Sequence, residues 1–112
     1  MNRNAVIANI PDQQTWVGLT DAEKKGAVET AIDSFLSELE QAGREPDEWE
    51  ATDLGAAFNA ILMGWYVLAA TYVERGLAPP EQRAQPWPRQ EHTPDTKSLR
   101  TALAHVRATP AR

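Results

Sequence analysis

The chain has 112 residues, no cysteine and a formal net charge of −5, and these values exclude several classes of protein. Without thiols there is no disulfide scaffold, thiolate zinc site or cysteine nucleophile, which fits a reducing cytoplasm. The negative charge argues against direct nucleic-acid binding, which needs clustered Lys and Arg to neutralise phosphates. The length and globular composition predict a single domain over residues 1–112.

The first segment, residues 1–19, is predicted to be extended chain. Its apolar run, AVIANI, is only six residues long and is followed by Pro11, so it is too short for the hydrophobic region of a signal peptide. We therefore expect no export signal. The run is compatible with an edge strand or with extended chain packed on helices, and the sequence does not choose between them.

The first predicted helix spans residues 21–42. Thr20 and Glu23 have the spacing of a capping box, and Gly43 is suited to end the helix. Apolar residues recur at helical spacing along one stripe: Val28, Ile32, Phe35, Leu36, Leu39 and Ala42. The opposite face is acidic and is predicted to face water.

The second predicted helix spans residues 47–75 and contains an uncharged stretch, residues 54–73. On a helical wheel the bulky side chains of this stretch, among them Trp65 and Leu68, cover one wide face. That face is predicted to bury the apolar stripe of the first helix.

The opposite side of the same helix carries small residues. Ala56, Ala60 and Gly64 are four positions apart, so on a continuous helix they form a smooth strip that another helix could approach closely. Met63 and Val67 flank the strip, and nothing else in the chain is predicted to cover it. We expect this strip to bind a second copy of the chain or a different protein.

The uncharged stretch also allows a second interpretation, a membrane span over residues 54–73, because twenty helical residues cover about 30 Å of bilayer. Asn59, Trp65 and Tyr66 lie well inside the stretch, whereas spans place aromatic residues at the interfaces and rarely use amides in the middle. The preceding flank is acidic. A membrane location is therefore the alternative and not the main prediction.

The segment EPDEWEATD, residues 45–53, is the surface element most suggestive of recognition. Acidic residues are favoured at a helix start by the helix dipole, which is the simpler explanation. The sharper hypothesis is a contact site in which an aromatic anchor sits within an acidic rim and binds a basic partner. The residues of that candidate site are Asp47, Glu48, Trp49 and Glu50.

A Pro-rich connector is predicted over residues 77–93. Trp87 in this connector is predicted to bind a partner, although packing of the connector against its own domain explains the residue equally well. A third helix is predicted over residues 94–107, with Thr93 as its cap and Pro94 at its first position. This helix is predicted to dock on the other two with its basic side outward, completing an all-α bundle of three main helices.

Charge is divided between the two halves of the chain. From Asp12 to Asp53 there are twelve acidic and three basic residues, whereas from Leu54 onward there are four acidic and seven basic residues. Such blocks either pair within the fold or steer a charged partner. Pairing within the fold is the simpler expectation.

No pattern of catalytic residues is present. The phosphate-binding glycine motifs, the nucleophile elbow and the zinc-binding HExxH motif are absent, and His92 and His105 have no second ligand at convincing spacing. We expect no enzyme activity, cofactor or metal.

The sequence therefore predicts a small acidic helical protein of the cytoplasm. We expect it to act by binding another protein, as a regulatory or inhibitory subunit, and a homodimer is compatible with this role. Two alternatives stay open, the single-span membrane protein and an acidic nucleic-acid mimic that inhibits a nucleic-acid-binding protein.

Overall fold

The computed structural model describes residues 6, 8–83 and 93–111. That part of the chain contains no strand, so the predicted all-α class is confirmed. Its helices are α1 (Gln13–Val17), α2 (Asp21–Ala42), α3 (Glu48–Leu62), α4 (Tyr66–Gly76) and α5 (Thr96–Ala108), with a short 3-10 helix at Pro80–Gln82.

The N-terminal segment is not simply extended in its described part. Asp12 caps α1, since its side chain accepts a hydrogen bond of 2.8 Å from the backbone N–H of Thr15. Before that helix, Val6 is buried, and the Asn9 side chain donates to the Ser34 hydroxyl of α2 at 3.0 Å. The segment therefore turns back onto α2.

Helix α2 has the predicted bounds. The Thr20 hydroxyl accepts from the Glu23 N–H at 3.2 Å, and the Glu23 carboxylate accepts from the Thr20 N–H at 3.0 Å, which completes the capping box. At the other end Gly43 has φ of 65°, and the Arg44 N–H bonds back to the Leu39 carbonyl at 3.0 Å. This is the Schellman arrangement that ends many helices at glycine.

The prediction of one continuous helix over residues 47–75 is wrong, because α3 ends at Leu62 and a separate helix, α4, begins at Tyr66. Gly64 has φ of 80°, its N–H bonds to the Ile61 carbonyl at 2.9 Å, and the Trp65 N–H bonds to the Ala60 carbonyl at 2.8 Å. These bonds form a second Schellman turn. The sequence predicted that Gly64 lies on the surface of a continuous helix. In the structure Gly64 adopts a positive φ, which glycine tolerates, and the helix ends there.

The interruption divides the uncharged stretch between a helix of 15 residues and one of 11 residues. Residues 54–73 therefore do not form the single span considered from the sequence. Among the described residues, no helix combines the length and the apolarity needed to cross a bilayer.

The turn at Gly64 gives a direct test. We expect Gly64→Ala to lower the free energy of unfolding by about 1–2 kcal/mol, because an L side chain is strained at positive φ. Gly55→Ala is the matched control: Gly55 lies within α3, no heavy atom outside its local helix lies within 4 Å of an added Cβ, and we expect a gain of about 0.5–1 kcal/mol. Urea unfolding of both variants measures the difference, and equal effects would contradict the turn.

The connector and third helix differ from prediction in detail. Helix α5 starts at Thr96 and not at residue 94, and its cap is Asp95, which accepts from the Ser98 N–H at 2.7 Å. The predicted connector over residues 77–93 begins directly after α4 and includes the 3-10 helix at Pro80–Gln82, and residues 84–92 lie outside the described part.

Helix α5 runs antiparallel to α2 and pairs with its acidic face. The guanidinium of Arg100 bonds to Asp33, to the Ser37 hydroxyl at 2.8 Å and to Glu40 at 2.8 Å. The hydrogen bond from Arg100 lowers the pKa of Glu40 below its ordinary range. The prediction that the basic side of this helix faces outward is therefore wrong for Arg100. The expected pairing of the two charge blocks within the fold is confirmed here.

The core is built from the stripe of α2 together with residues of α3, α4 and α5. Helix α2 packs on α4 and α5, and α3 packs on α4 and α5. Its largest fully buried side chains include Phe35, Ile32, Leu36, Leu39, Leu103, Val28, Val73 and Val106.

Candidate protein-binding surface

Trp49, the aromatic anchor suggested by the acidic segment, lies inside the fold. Its side chain is 6% exposed, and its indole N–H donates to the Arg75 carbonyl at 2.8 Å. The guanidinium groups of Arg75 and Arg83 lie 5.5 and 5.4 Å from the centre of the ring, within cation–π range. The ring thus joins the start of α3 to the end of α4.

Two acidic residues of the segment are used at the N-terminus of α3. Asp47 caps the helix, and Glu50 accepts from the Asp47 N–H at 2.9 Å, forming a capping box. Glu50 is buried and receives two hydrogen bonds from the guanidinium of Arg44, at 2.7 and 2.9 Å. That contact raises the pKa of Arg44. Asp47 also lies 3.2 Å from Arg83, so both carboxylates have cationic partners inside the chain.

Glu45 has a structural role that sequence reasoning missed. Its carboxylate accepts from the backbone N–H of Thr96 at 2.6 Å and from the Thr96 hydroxyl at 2.8 Å. Both donors belong to the first residue of α5, 51 positions away along the chain. Glu45 therefore accepts hydrogen bonds at the N-terminus of a helix that Asp95 caps and that is distant from Glu45 in sequence. No local spacing rule reveals such a contact.

Asp53 is the most enclosed carboxylate in the same region. It is buried, Arg75 Nε lies 3.7 Å from its Oδ1, and Oδ2 accepts no hydrogen bond from the described residues. Burial raises the pKa of Asp53 above its ordinary value of 3.8, and the charges of Arg75 and Arg83 offset only part of that shift.

The raised pKa of Asp53 predicts a pH dependence. At pH values between 3.8 and the raised pKa, the native state binds the proton more tightly than the unfolded state. The wild-type free energy of unfolding should therefore rise relative to that of Asp53→Asn as pH falls from neutral toward 3.8. Parallel urea titrations of the two proteins at several pH values measure this difference. A difference that does not change with pH would contradict the shift.

The small-residue strip does not form a continuous face. Ala60 is buried in the core, Ala56 is half-buried on α3, and Gly64 belongs to the turn between α3 and α4. The turn changes the direction of the chain, so the four-residue spacing no longer aligns these three positions.

Large apolar side chains are instead exposed where α3 meets α4. Met63 is 46% exposed, Trp65 54%, Val67 58% and Leu68 41%. We call these four residues the corner patch. Trp65 and Leu68 were predicted to be buried against the first helix, and that prediction is wrong because the break at Gly64 shifts the helical phase of everything after it.

Two shallow grooves adjoin the corner patch and run along α4. The first has a volume of about 430 Å³ and is lined by Lys24, Gly64, Trp65, Tyr66, Val67, Leu68 and Thr71. The second, of about 280 Å³, is lined by Ile10, Pro11, Gln13, Trp16, Val67, Ala70, Thr71 and Glu74. Val67 and Thr71 belong to both, so the grooves form one surface along the helix.

Two polar groups of this surface differ in whether their hydrogen bonds are satisfied. The Thr71 hydroxyl donates to the Val67 carbonyl of its own helix at 3.1 Å, so its donor is satisfied. The indole N–H of Trp16 is buried and finds no acceptor among the described residues. A buried donor without a partner costs free energy in the folded state.

The remaining candidate residues contribute no described site. Trp87 and His92 lie outside the described residues. His105 is exposed on α5, and no group of three or more potential metal ligands occurs among the residues that the structure describes.

Comparisons of the chain with protein-family models, curated proteins and solved structures found no match.

Proposed function

We propose that the protein is a non-enzymatic subunit that acts by binding another polypeptide through the corner patch and the adjoining grooves, in a regulatory or inhibitory role. The supporting observation is the exposure of Trp65, Val67 and Leu68 together at one end of α4. A cytoplasmic location is part of the proposal and rests on the lack of cysteine.

These exposed apolar residues are clustered and not scattered over the surface. Single exposed apolar side chains are common on folded proteins, but contiguous apolar patches mark interaction surfaces more often than chance. Tryptophan contributes strongly to binding energy when a partner covers it.

The acidic segment is the weaker candidate for this role. Trp49 is buried, and Glu45, Asp47 and Glu50 bond to groups of the same chain. A partner that used these carboxylates would compete with their internal partners. Trp65, and not the buried Trp49, is therefore the aromatic residue expected to contact the partner.

Affinity capture from the native host tests the proposal. Tagged wild type is compared with Trp65→Ala, for which we expect the amount of captured partner to fall at least about tenfold. Val17→Ala is the matched control, since Val17 is the most exposed of the large apolar residues and lines neither groove. A partner captured equally well by Trp65→Ala and wild type would refute the corner patch as the binding surface.

A further inference from the structure

We infer that the occupant of the corner patch is a second copy of this chain, docked with its α4 antiparallel to the first. The inference rests on the proposed function, because it assigns a partner to the same surface. Its basis is the pair of opposite charges in the two grooves beside α4, Lys24 from α2 and Glu74 from α4, which suits the surface to pairing with itself.

The two grooves carry opposite charges at opposite ends. Lys24 belongs to the groove at the N-terminal end of α4, and Glu74 belongs to the groove toward its C-terminal end. Val67 and Thr71 lie between them and belong to both grooves. Within the described part of the chain, neither Lys24 nor Glu74 has an ion-pair partner.

A two-fold axis through the middle of this surface makes the ends complementary. In such a symmetric contact, if residue i of one copy meets residue j of the other, then j also meets i. An axis near Val67 and Thr71, perpendicular to α4, places the first groove of one copy over the second groove of its partner. Lys24 then faces Glu74 of the partner subunit, twice in each dimer, while Trp65 and Leu68 are covered.

The described arginines are already used in ion pairs within the chain. The described arginines on α5, Arg100 and Arg107, already pair with the acidic face of α2. Arg44, Arg75 and Arg83 pair with carboxylates of α3 or its cap. Lys97 on α5 also has no ion pair among the described residues, but it lines neither groove. Lys24 and Glu74, which have no ion-pair partner among the described residues, line the grooves on either side of the exposed apolar side chains.

Charge reversal tests the dimer without disturbing the helices. Lys24→Glu adds an acid near the start of α2, and Glu74→Lys adds a base near the end of α4, and the helix dipole favours both changes. Circular dichroism melting of each variant checks folding. Sedimentation equilibrium over about 5 to 500 µM protein then measures association.

We expect wild-type mass to rise with concentration toward that of two chains. Each reversal replaces two attractive pairs with repulsive ones and should raise the dimer Kd about tenfold or more. The double variant Lys24→Glu/Glu74→Lys restores both attractions and should dimerise like wild type. An equimolar mixture of the two single variants should form a heterodimer more tightly than either variant self-associates.

Three results would overturn the inference: wild type that stays at the mass of one chain throughout, a dimer unaffected by either reversal, or a mixture that associates no better than its components. A monomeric wild type that still captures a partner through Trp65 would remove the homodimer alone. If Trp65→Ala changes neither the amount of captured partner nor the dimer Kd, the proposed function is refuted as well.

Discussion

We expect Phe35→Ala to lower the free energy of unfolding by about 3–5 kcal/mol, and Leu68→Ala to change it by less than about 1 kcal/mol. Both residues are large and apolar, and the sequence predicted both to be buried. In the structure Phe35 is 1% exposed at the centre of the core, while Leu68 lies in the corner patch. Removing the Phe35 ring should leave a cavity that the surrounding core residues fill only partly.

Urea unfolding of the two variants at low protein concentration measures this contrast. If Phe35→Ala does not fold, Phe35→Leu serves in its place and should still cost more than Leu68→Ala. A loss at Leu68 as large as the loss at Phe35 would mean that Leu68 is buried and that the break at Gly64 is absent.

The second large effect is expected at Lys25, which is buried and joins α2 to the far end of the chain. Its ammonium group donates to the Val106 carbonyl at 2.7 Å and forms an ion pair with Glu29. Lys25→Met keeps the apolar stem but leaves the carbonyl without this donor and Glu29 without its nearest cation. We expect the free energy of unfolding to fall by about 2–4 kcal/mol. The fall is smaller than for a fully unpaired buried charge, because Arg107 also lies 3.7 Å from Glu29.

Lys97→Met is the control for Lys25→Met. Lys97 is exposed on α5 and its side chain has no ion pair in the described part of the chain. Its replacement should change stability by no more than about 0.5 kcal/mol. Equal losses for the two lysines would show that the Lys25 contacts contribute nothing to folding.

Local patterns predicted the features that depend on nearby residues. Thr20, Glu23 and Gly43 fix both ends of α2 through bonds that span at most five positions. The apolar stripe of that helix is buried as expected from Val28 to Leu39, whereas its last predicted member, Ala42, is exposed. At Gly64 two local signals conflict. Gly64 followed by an apolar residue is a helix-ending signal, but the uncharged stretch around it favoured a continuous helix.

Contacts between distant residues were not predictable in the same way. Lys25 and Val106 are 81 positions apart, and Glu45 and Thr96 are 51 positions apart. Nothing in the spacing of a sequence reports which carboxylate meets which helix end. The corner patch was missed for a related reason, since the exposure of Trp65 and Leu68 follows from the turn before them and not from their own chemistry.

The groups that bind the two ends of α5 also have a consequence for chain direction. Glu45 places a carboxylate at the N-terminus of α5, and Lys25 places an ammonium group at its C-terminus. Each charge opposes the partial charge that the aligned peptide dipoles produce at that end. If α5 packed in the same place with its direction reversed, the carboxylate would face carbonyl oxygens and the ammonium would face amide hydrogens. Two side chains from elsewhere in the chain therefore discriminate between up and down orientations of a helix whose apolar stripe alone would accept either.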